Sequence, residues 1–327
     1  MAKQKLQQPS RAERRRSQAV PQTGRWPEVK VWLLVIFGCA FCLRLFYLLQ
    51  IQSIPLFYYL AGDGRTYDEW GQRIASGDWL GQGVFYQAPL YPYFLAVLQV
   101  ILGHNLWFIR VVQVALGSIS CGLIYLIGRD LFGQRTGVAC GLLAATYAPA
   151  IFFEALIEKS ILDWFLLSLL LWLLCRTKEQ PHWGYWTATG ATLGLLGLSR
   201  ENALILGVVV PLWIALYFSG ELVRIRGLWI GLFLAGLLVV LVPVGLRNLV
   251  VGGEFTLTTS QFGPNFFIGN NPSANGIYGS VGKLIGEPQL EGNDAKRLAE
   301  RSLGRTLTPH EISDYWFDQS WSYIKSR

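Results

Sequence analysis

The sequence contains few charged residues. Asp, Glu, Lys and Arg make up 15% of the 327 residues, whereas a soluble globular domain carries about 25%. Hydrophobic residues make up 52%, and the chain holds 13 Trp, 14 Tyr and 18 Phe. A chain so rich in large apolar side chains is not intrinsically disordered. The composition disfavours an ordinary cytosolic enzyme and indicates a protein that crosses a membrane several times.

Residues that bind metals or form disulfides are also scarce. The five cysteines all lie within apolar stretches, and the three histidines are far apart. This placement indicates buried thiols rather than a disulfide framework or a thiolate metal site, and the histidines show no ligand spacing. Carboxylates alone can bind Mg²⁺ or Mn²⁺, but no local metal motif is present. The sequence therefore leaves open whether a divalent cation is needed, and it indicates no other cofactor.

Positive charge is concentrated at the N-terminus. Residues 1–30 hold eight Lys or Arg and two Glu, a net charge of +6 out of +7 for the whole chain. A basic tail before an apolar stretch is typical of a disordered cytoplasmic flank. No A-x-A cleavage site follows the apolar stretch, so we expect the first span to be retained.

Seven stretches are apolar enough to cross a membrane as helices, although several are short. They cover residues 31–52, 108–128, 136–153, 160–175, 185–199, 203–219 and 227–246. An eighth stretch, 90–103, decides the topology. If it does not cross, the basic connections near Arg129, Arg176 and Arg224 all fall on the side of the N-terminal tail, as the positive-inside rule requires. We predict an all-α, polytopic membrane protein with about seven transmembrane helices.

This topology divides the chain into three parts. A cytoplasmic tail (1–30) precedes a seven-span membrane module (31–247), and a mixed, loop-rich outer segment (248–327) follows. We expect the outer connection 53–107 of the module to contain membrane-lying helices. In the last segment the pattern predicts one helix over about 293–303 and another that begins near Thr308. That last pattern still continues where the sequence stops, so we expect the chain to be part of a longer protein.

Ionisable residues collect in the connections on the outer side. The first connection contains Asp63, Asp68 and Glu69 within seven residues. A carboxylate beside lipid costs free energy unless it is paired or solvated, which favours a functional role. Asp63 suits a general base or a metal ligand; alternatively it caps a helix over 66–76, with Asp68 and Glu69 on the solvated face.

The second connection contains Glu154, Glu158 and Lys159. A helical turn would place both glutamates on one face, either as functional acids or as salt-bridge partners. Lys159 either meets a phosphate or extends along the membrane surface.

Three arginines lie at or within the spans. Arg200, in the third connection, suits bidentate phosphate binding; alternatively it pairs with Glu201 or another acid. Arg247 lies at the outer end of the last span. Arg44 lies within the first span, where an unpaired charge is costly, and we expect it to pair with an acid such as Asp63.

Carboxylates and cations on one side of a membrane suit a particular reaction. In glycosyl transfer from a polyprenyl-phosphate sugar, a carboxylate deprotonates the acceptor hydroxyl, and cations stabilise the departing lipid phosphate.

The segments that carry these residues resemble the GT-C superfamily of integral-membrane glycosyltransferases. The resemblance is to the family 39-like bacterial branch related to protein O-mannosyltransferases and aminoarabinose transferases, and it covers about residues 31–280. It rests on the order of six segments rather than on any single motif. The segments are Asp63–Trp70, Ile74–Trp79, Phe85–Tyr93, Pro149–Lys159, Leu198–Asn202, and Arg247-Asn248 leading to Gly269–Pro272.

The resemblance implies an inverting, mannosyltransferase-like hexosyltransferase with a seven-span module. Its essential acid corresponds to Asp63. A second catalytic acid corresponds best to Glu154, with Glu158 close behind, although relatives often carry Asp there. The same resemblance implies substrate-binding roles for Tyr67, Asp68, Glu158, Lys159, Arg200, Asn202 and Arg247.

The resemblance also implies a location and partners. The protein would lie in a bacterial inner membrane, with its N-terminus in the cytoplasm and its active site on the periplasmic side. Its partners would be the bilayer, a polyprenyl-phosphate sugar, and a protein, lipopolysaccharide or other glycan as acceptor, and nucleic acid would not be among them. The alternatives are a carrier or flippase for a lipid-linked sugar, and an inactive, truncated assembly subunit. A transporter would show repeats and charges along a crossing path, whereas here the charges collect on one side.

Overall fold

The computed structural model of the chain describes residues 26–276, 279 and 288–327. Residues 1–25 of the predicted basic tail lie outside the described residues. The described residues form thirteen α-helices and two short 3-10 helices, and they contain no strand. This confirms the predicted all-α class.

The helices divide into a membrane module and an outer segment. In the module they are α1 (Trp26–Ile51), α2 (Gly62–Ala75), α3 (Leu90–Leu102), α4 (Leu106–Phe132), α5 (Gln134–Ala145), α6 (Ala148–Glu154), α7 (Ser160–Glu179), α8 (Trp183–Ser199), α9 (Leu206–Tyr217) and α10 (Val223–Gly252). The outer segment contains α11 (Phe262–Gly269), α12 (Pro288–Leu303) and α13 (Pro309–Lys325). The 3-10 helices are Pro55–Phe57 and Glu201–Ile205.

Each of the seven predicted spans corresponds to a helix or a helix pair. Among the described residues, α1, α4, α7 and α10 are long and apolar enough to cross a membrane. The pair α5 and α6 qualifies as a fifth span that is bent by 51°. The bend falls just before Pro149, which cannot donate a backbone hydrogen bond. Helices α8 and α9 are apolar but short, so a polytopic membrane protein is confirmed and seven crossings stay a prediction.

Helix α3 lies along α2. It has 13 residues, which gives about 20 Å, shorter than the roughly 30 Å of a bilayer core. Tyr93, near its start, donates a hydrogen bond to the carbonyl of Trp79, which follows α2. His104, just after its end, contacts Asp68 within α2 at 2.9 Å. Both ends of α3 therefore contact α2 or the residues that follow it, and the expectation that α3 does not cross the membrane stays a prediction.

The connections predicted to share one side meet at one end of the bundle, which we call the upper end. There α2 and α3 lie beside the connections 155–159 and 200–205. Glu201 accepts a hydrogen bond from Gln261 at 3.0 Å, which joins the outer segment to the same end. The upper end therefore collects the segments in which the sequence concentrates its carboxylates.

Helices α8 and α10 form the closest helix pair of the module. A methyl group at Gly190 of α8 would overlap the carbonyl oxygen of Phe233, and one at Gly236 of α10 would overlap that of Thr187. Small residues at such positions let two membrane helices approach backbone to backbone.

Two further expectations can be compared with the structure. The helix predicted to begin near Thr308 is α13, and Thr308 with Glu311 forms a capping box at its start, as expected from the sequence. All five cysteines are free. Cys121 is buried, but Cys39 and Cys42 are exposed on α1, so the expected burial is wrong for these two. A thiol is apolar enough to face lipid from a span.

Candidate active site

Asp63 lies in the first turn of α2, where the helix N-terminus favours a negative charge. The helix begins at Gly62 rather than near residue 66. Asp63 is therefore part of the helix, and the alternative that it caps a helix over 66–76 is wrong. Its side chain is half-buried, so it stays accessible to a substrate.

The start of α2 packs directly on the connection 155–159. A Cβ atom at Gly64 would lie 3.2 Å from the carbonyl oxygen of Ile157, which is tighter than ordinary van der Waals contact. The missing side chain thus lets the two segments approach. This contact brings Asp63 to the same place as Glu158, the residue that follows Ile157.

Glu158 is a half-buried carboxylate with charged neighbours of both signs. Burial raises the pKa of the Glu158 carboxyl and Asp63 raises it further, whereas Lys159 and Arg200 lower it. The Glu158 carboxyl therefore takes up a proton more readily than an exposed glutamate does.

The cations Lys159 and Arg200 lie near these acids. Burial lowers the pKa of the Lys159 ammonium, while Asp163 opposes this effect. Arg200 is exposed and forms an ion pair with Asp163, with 2.7 Å between Nε and Oδ2. Arg200 therefore pairs with an acid, as one alternative predicted, but the acid is Asp163 and not Glu201.

Tyr67 lies one turn beyond Asp63 on α2 and is buried. Its ring packs edge to face on Tyr91 of α3, with centroids 5.4 Å apart. Burial raises the pKa of the Tyr67 phenol, and the carboxylates of Asp63 and Glu158 raise it further. The hydroxyl therefore stays protonated and can donate a hydrogen bond beside the two acids.

Glu154 does not join this group. Its carboxylate is buried and pairs with Arg44 of α1, with 2.6 Å between Nε and Oε2. Arg44 therefore forms the expected buried pair with an acid, but the acid is Glu154 and not Asp63. Helix α6 ends at Glu154 and the chain turns there, so Glu154 and Glu158 do not share a helical face.

Asp68 is also held inside the protein. Its carboxylate accepts hydrogen bonds from Gln72 at 2.8 Å and from Gln99 at 3.0 Å, and it contacts His104. The expected solvated position is therefore wrong for Asp68, which ties α2 to α3. Glu69 does lie on the solvated face, 3.5 Å from Arg65.

Arg247 fixes a loop. Its guanidinium donates to the carbonyl oxygens of Leu80 and Gly83 and lies 3.8 Å from the centroid of the Phe85 ring. Asp78 is its neighbouring acid, and the phenol of Tyr93 also lies near it. The structure thus places Arg247 beside the connection after α2. Asn202, also expected to bind substrate, is exposed in the 3-10 helix Glu201–Ile205.

Sequence reasoning did not single out Asp163. It lies in the first turn of α7, and its carboxylate accepts hydrogen bonds from Ser199 at 2.6 Å and from Arg200 at 2.7 Å. We counted it as part of an apolar span. One sequence signal could have identified Asp163. It is an acid four residues after Lys159, in the first turn of an otherwise apolar span.

A mainly apolar cavity of about 370 Å³ lies between α3, α8 and α10. It is lined by aromatic and aliphatic side chains, with Arg247 at its edge. Among its lining residues are Trp79, Phe85, Tyr93, Leu198 and Val244. Leu198 is two residues from Arg200, so the cavity lies near the cations.

The described residues contain no group of three or more His, Cys, Asp or Glu side chains placed to hold a metal ion. The carboxylates of Asp63, Glu158 and Asp163 therefore do not form a metal site by themselves.

Comparisons with known proteins give two findings. Residues 86–246 match the family described as dolichyl-phosphate-mannose-protein mannosyltransferase. The chain is 29% identical over 196 residues to an undecaprenyl phosphate-alpha-4-amino-4-deoxy-L-arabinose arabinosyl transferase of Pseudomonas aeruginosa (strain LESB58), and 30% identical over 122 residues to the protein of that name from Pseudomonas paraeruginosa (strain DSM 24068 / PA7). The matches cover 56% and 35% of this chain, but 33% and 21% of those relatives.

Proposed function

We propose that this GT-C superfamily glycosyltransferase transfers a sugar from a polyprenyl-phosphate donor to an acceptor hydroxyl, with inversion at the anomeric carbon. The family match and the relatives confirm the resemblance predicted from the motifs. The donor class is proposed from the lipid phosphate that the names of the family and the relatives carry.

The observation that supports this proposal is the meeting of acids and cations at the upper end. Asp63 accepts the proton of the acceptor hydroxyl, whose oxygen attacks the anomeric carbon. The bond between that carbon and the phosphate oxygen breaks, and the lipid phosphate leaves with the electron pair. Lys159 and Arg200 stabilise the charge that develops on this phosphate. The acid and the leaving group act on opposite sides of the anomeric carbon, which inverts it.

We assign the second acid to Glu158 rather than to Glu154. Glu158 is half-buried beside Asp63 and Lys159, whereas Glu154 is 2% exposed and its carboxylate is engaged by Arg44. Burial and the nearby Asp63 raise the pKa of Glu158, so this carboxyl is better suited than an exposed glutamate to exchange a proton during the reaction.

The apolar cavity gives the lipid part of the donor a place beside the cations. Its wall is aromatic and aliphatic, which suits an isoprenoid chain. A phosphate bound by Arg200 would have its lipid chain next to Leu198, at the cavity edge. We propose that Trp79 and Phe85 contact this chain.

The experiment measures sugar transfer in proteoliposomes from a panel of radiolabelled polyprenyl-phosphate sugars, with and without a chelator. Asp63→Asn is expected to lower kcat by at least about 100-fold, as loss of a general base does, while donor affinity stays within about twofold. The chelator arm tests a dependence on Mg²⁺ or Mn²⁺.

Two results would contradict the proposal. Unchanged turnover of Asp63→Asn would remove Asp63 from its role. Tight donor binding by the wild type without transfer of any sugar would favour a carrier or an inactive assembly subunit. Glu69→Gln is the matched control, since Glu69 is an exposed acid of the same helix outside the group.

A further inference from the structure

Arg110 and Gln113 are among the buried polar side chains of helix α4, an otherwise apolar span. Arg110 is 2% exposed and Gln113 is 0% exposed. Polar side chains inside a membrane are costly unless they are bonded, and they commonly serve a function. The proposed chemistry uses neither of them, so their bonds need another explanation.

Both side chains bind the backbone just before Glu158. Gln113 donates from Nε2 to the carbonyl oxygens of Glu154 and Leu156, each at 2.7 Å. Arg110 donates from Nε to the carbonyl oxygen of Ala155, also at 2.7 Å. Three consecutive carbonyl groups are therefore held by α4.

The next carbonyl group, that of Ile157, meets Gly64 of α2. No backbone N–H among the described residues donates to these four carbonyl oxygens. The shape of the segment 154–157 therefore depends on the side chains of α4 and on the contact with α2, because a non-helical backbone lacks the bonds that fix a helix.

Tyr91 fixes the orientation of the Gln113 amide. Its hydroxyl donates to Gln113 Oε1 at 2.5 Å and is hydrogen-bonded to the backbone of Glu158. Because Oε1 accepts from Tyr91, the NH₂ group of Gln113 must face the carbonyl oxygens. This bond extends the network from α4 to α3.

We infer that Gln113, supported by Arg110 and Tyr91, is a positioning residue of the transfer reaction: it holds the backbone 154–156 so that Glu158 and Lys159 meet Asp63. The inference rests on the proposed function for its catalytic meaning. The structural part, that Gln113 fixes Lys159 in its half-buried place, can be measured without any turnover.

The first measurement follows Lys159 directly. An amine-reactive reagent is applied to the full chain in detergent over a pH series, and mass spectrometry quantifies the modification of Lys159 beside that of the exposed Lys178. In Gln113→Met we expect Lys159 to react at least about threefold faster at the high-pH end of the series, where both lysines are unprotonated and access alone sets the rate, because the loosened segment admits water. Lys178 should not change. Ser118→Ala is the matched control, since Ser118 is buried on α4 and bonds only to its own helix.

The second measurement tests the functional meaning with a double-mutant cycle. We expect Gln113→Met to lower kcat/KM about tenfold in the wild type, and less than about twofold when Glu158→Gln and Lys159→Gln are both present, because the effect acts through these two side chains. Equal losses in both backgrounds would overturn the positioning role. Tyr91→Phe keeps the ring and removes the bond, so it should shift both readouts in the same direction and serves if Gln113→Met does not fold.

The outcomes separate the two proposals. Unchanged reactivity of Lys159 in both Gln113→Met and Tyr91→Phe would overturn the inference, whatever the activity of the wild type. If Lys159 reacts faster in Gln113→Met but the wild type transfers no sugar, Gln113 does hold Lys159 in place. The proposed function, and with it the positioning role in catalysis, would then be overturned.

Discussion

Lys159 carries its charge in a half-buried place next to the acids. Because burial lowers its pKa, the ammonium loses its proton below the ordinary value of 10.5. The charge, and any attraction to an anionic phosphate, is fully present below the lowered pKa and is lost as the pH rises through it. A sugar-phosphate diester keeps its single negative charge over this pH range. The change in its attraction to the site therefore follows the charge of Lys159.

We therefore expect donor affinity in the wild type to fall as the pH rises toward 10.5, at a lower pH than an exposed lysine would require. Lys159→Arg should keep its affinity over the same range, because a guanidinium stays protonated. Donor binding to the purified protein in nanodiscs, measured at each pH, checks this. If Lys159→Arg loses affinity as the wild type does, another group is responsible.

The sequence identified most residues of the site but not their partners. Asp63, Glu158, Lys159 and Arg200 lie in the connections where a charged residue beside lipid is informative. The pairings of Arg44 with Glu154 and of Arg200 with Asp163 depend on which helices are neighbours. The spacing of residues along the sequence does not show which helices pack together. The four-residue spacing of Glu154 and Glu158 predicts a shared helical face, but α6 ends at Glu154, so the two side chains do not share one.

At the scale of elements, the pair of α8 and α10 depends on residues without side chains. Gly236 meets the backbone of Thr187, whereas Gly231, on the same helix, has no atom near its Cβ position. The same substitution at the two positions therefore tests packing alone, since both sites lose the same backbone freedom.

We expect Gly236→Val to destabilise the protein by at least about 2 kcal/mol, because the added atoms must separate two backbones. Gly231→Val should stay within about 0.5 kcal/mol of the wild type. Thermal unfolding in detergent, followed by size-exclusion chromatography of the heated samples, compares the two. Equal unfolding temperatures would show that α8 and α10 do not pack as described.

The elements were more predictable than their ends. Hydropathy located every helix of the membrane module that was predicted to span, because a bilayer requires long apolar stretches. The early start of α2 and the break before α6 were missed. The start of α2 involves the close contact of Gly64 with Ile157, and the break before α6 involves Pro149. Hydropathy averaged over a window of many residues shows neither feature.

At the scale of the whole molecule, the connections 53–107, 155–159 and 200–205 meet at the upper end, and the connection between α7 and α8 lies at the opposite end. The basic tail precedes α1, and the positive-inside rule places that tail in the cytoplasm. We therefore expect the upper end to face away from the cytoplasm.

Single cysteines test this orientation in a variant whose native cysteines are replaced by serine. A membrane-impermeant maleimide applied to intact spheroplasts should label Glu69→Cys and should leave Gln180→Cys unlabelled until the cells are opened. Both positions are exposed, so accessibility differs only by side. The reverse pattern would place the acids in the cytoplasm and exclude a reaction at the outer face.

The ion pair of Arg44 and Glu154 also bears on how the protein is made. The two residues are 110 positions apart, and ribosomes add about 5–20 residues per second. Once Arg44 has been synthesised, roughly 5 to 20 s pass before Glu154 follows. During that interval the first span holds a charge without its partner, so α1 settles in the bundle only after the bent pair α5 and α6 arrives. The ion pair can therefore secure the first span only once the middle of the module has been made.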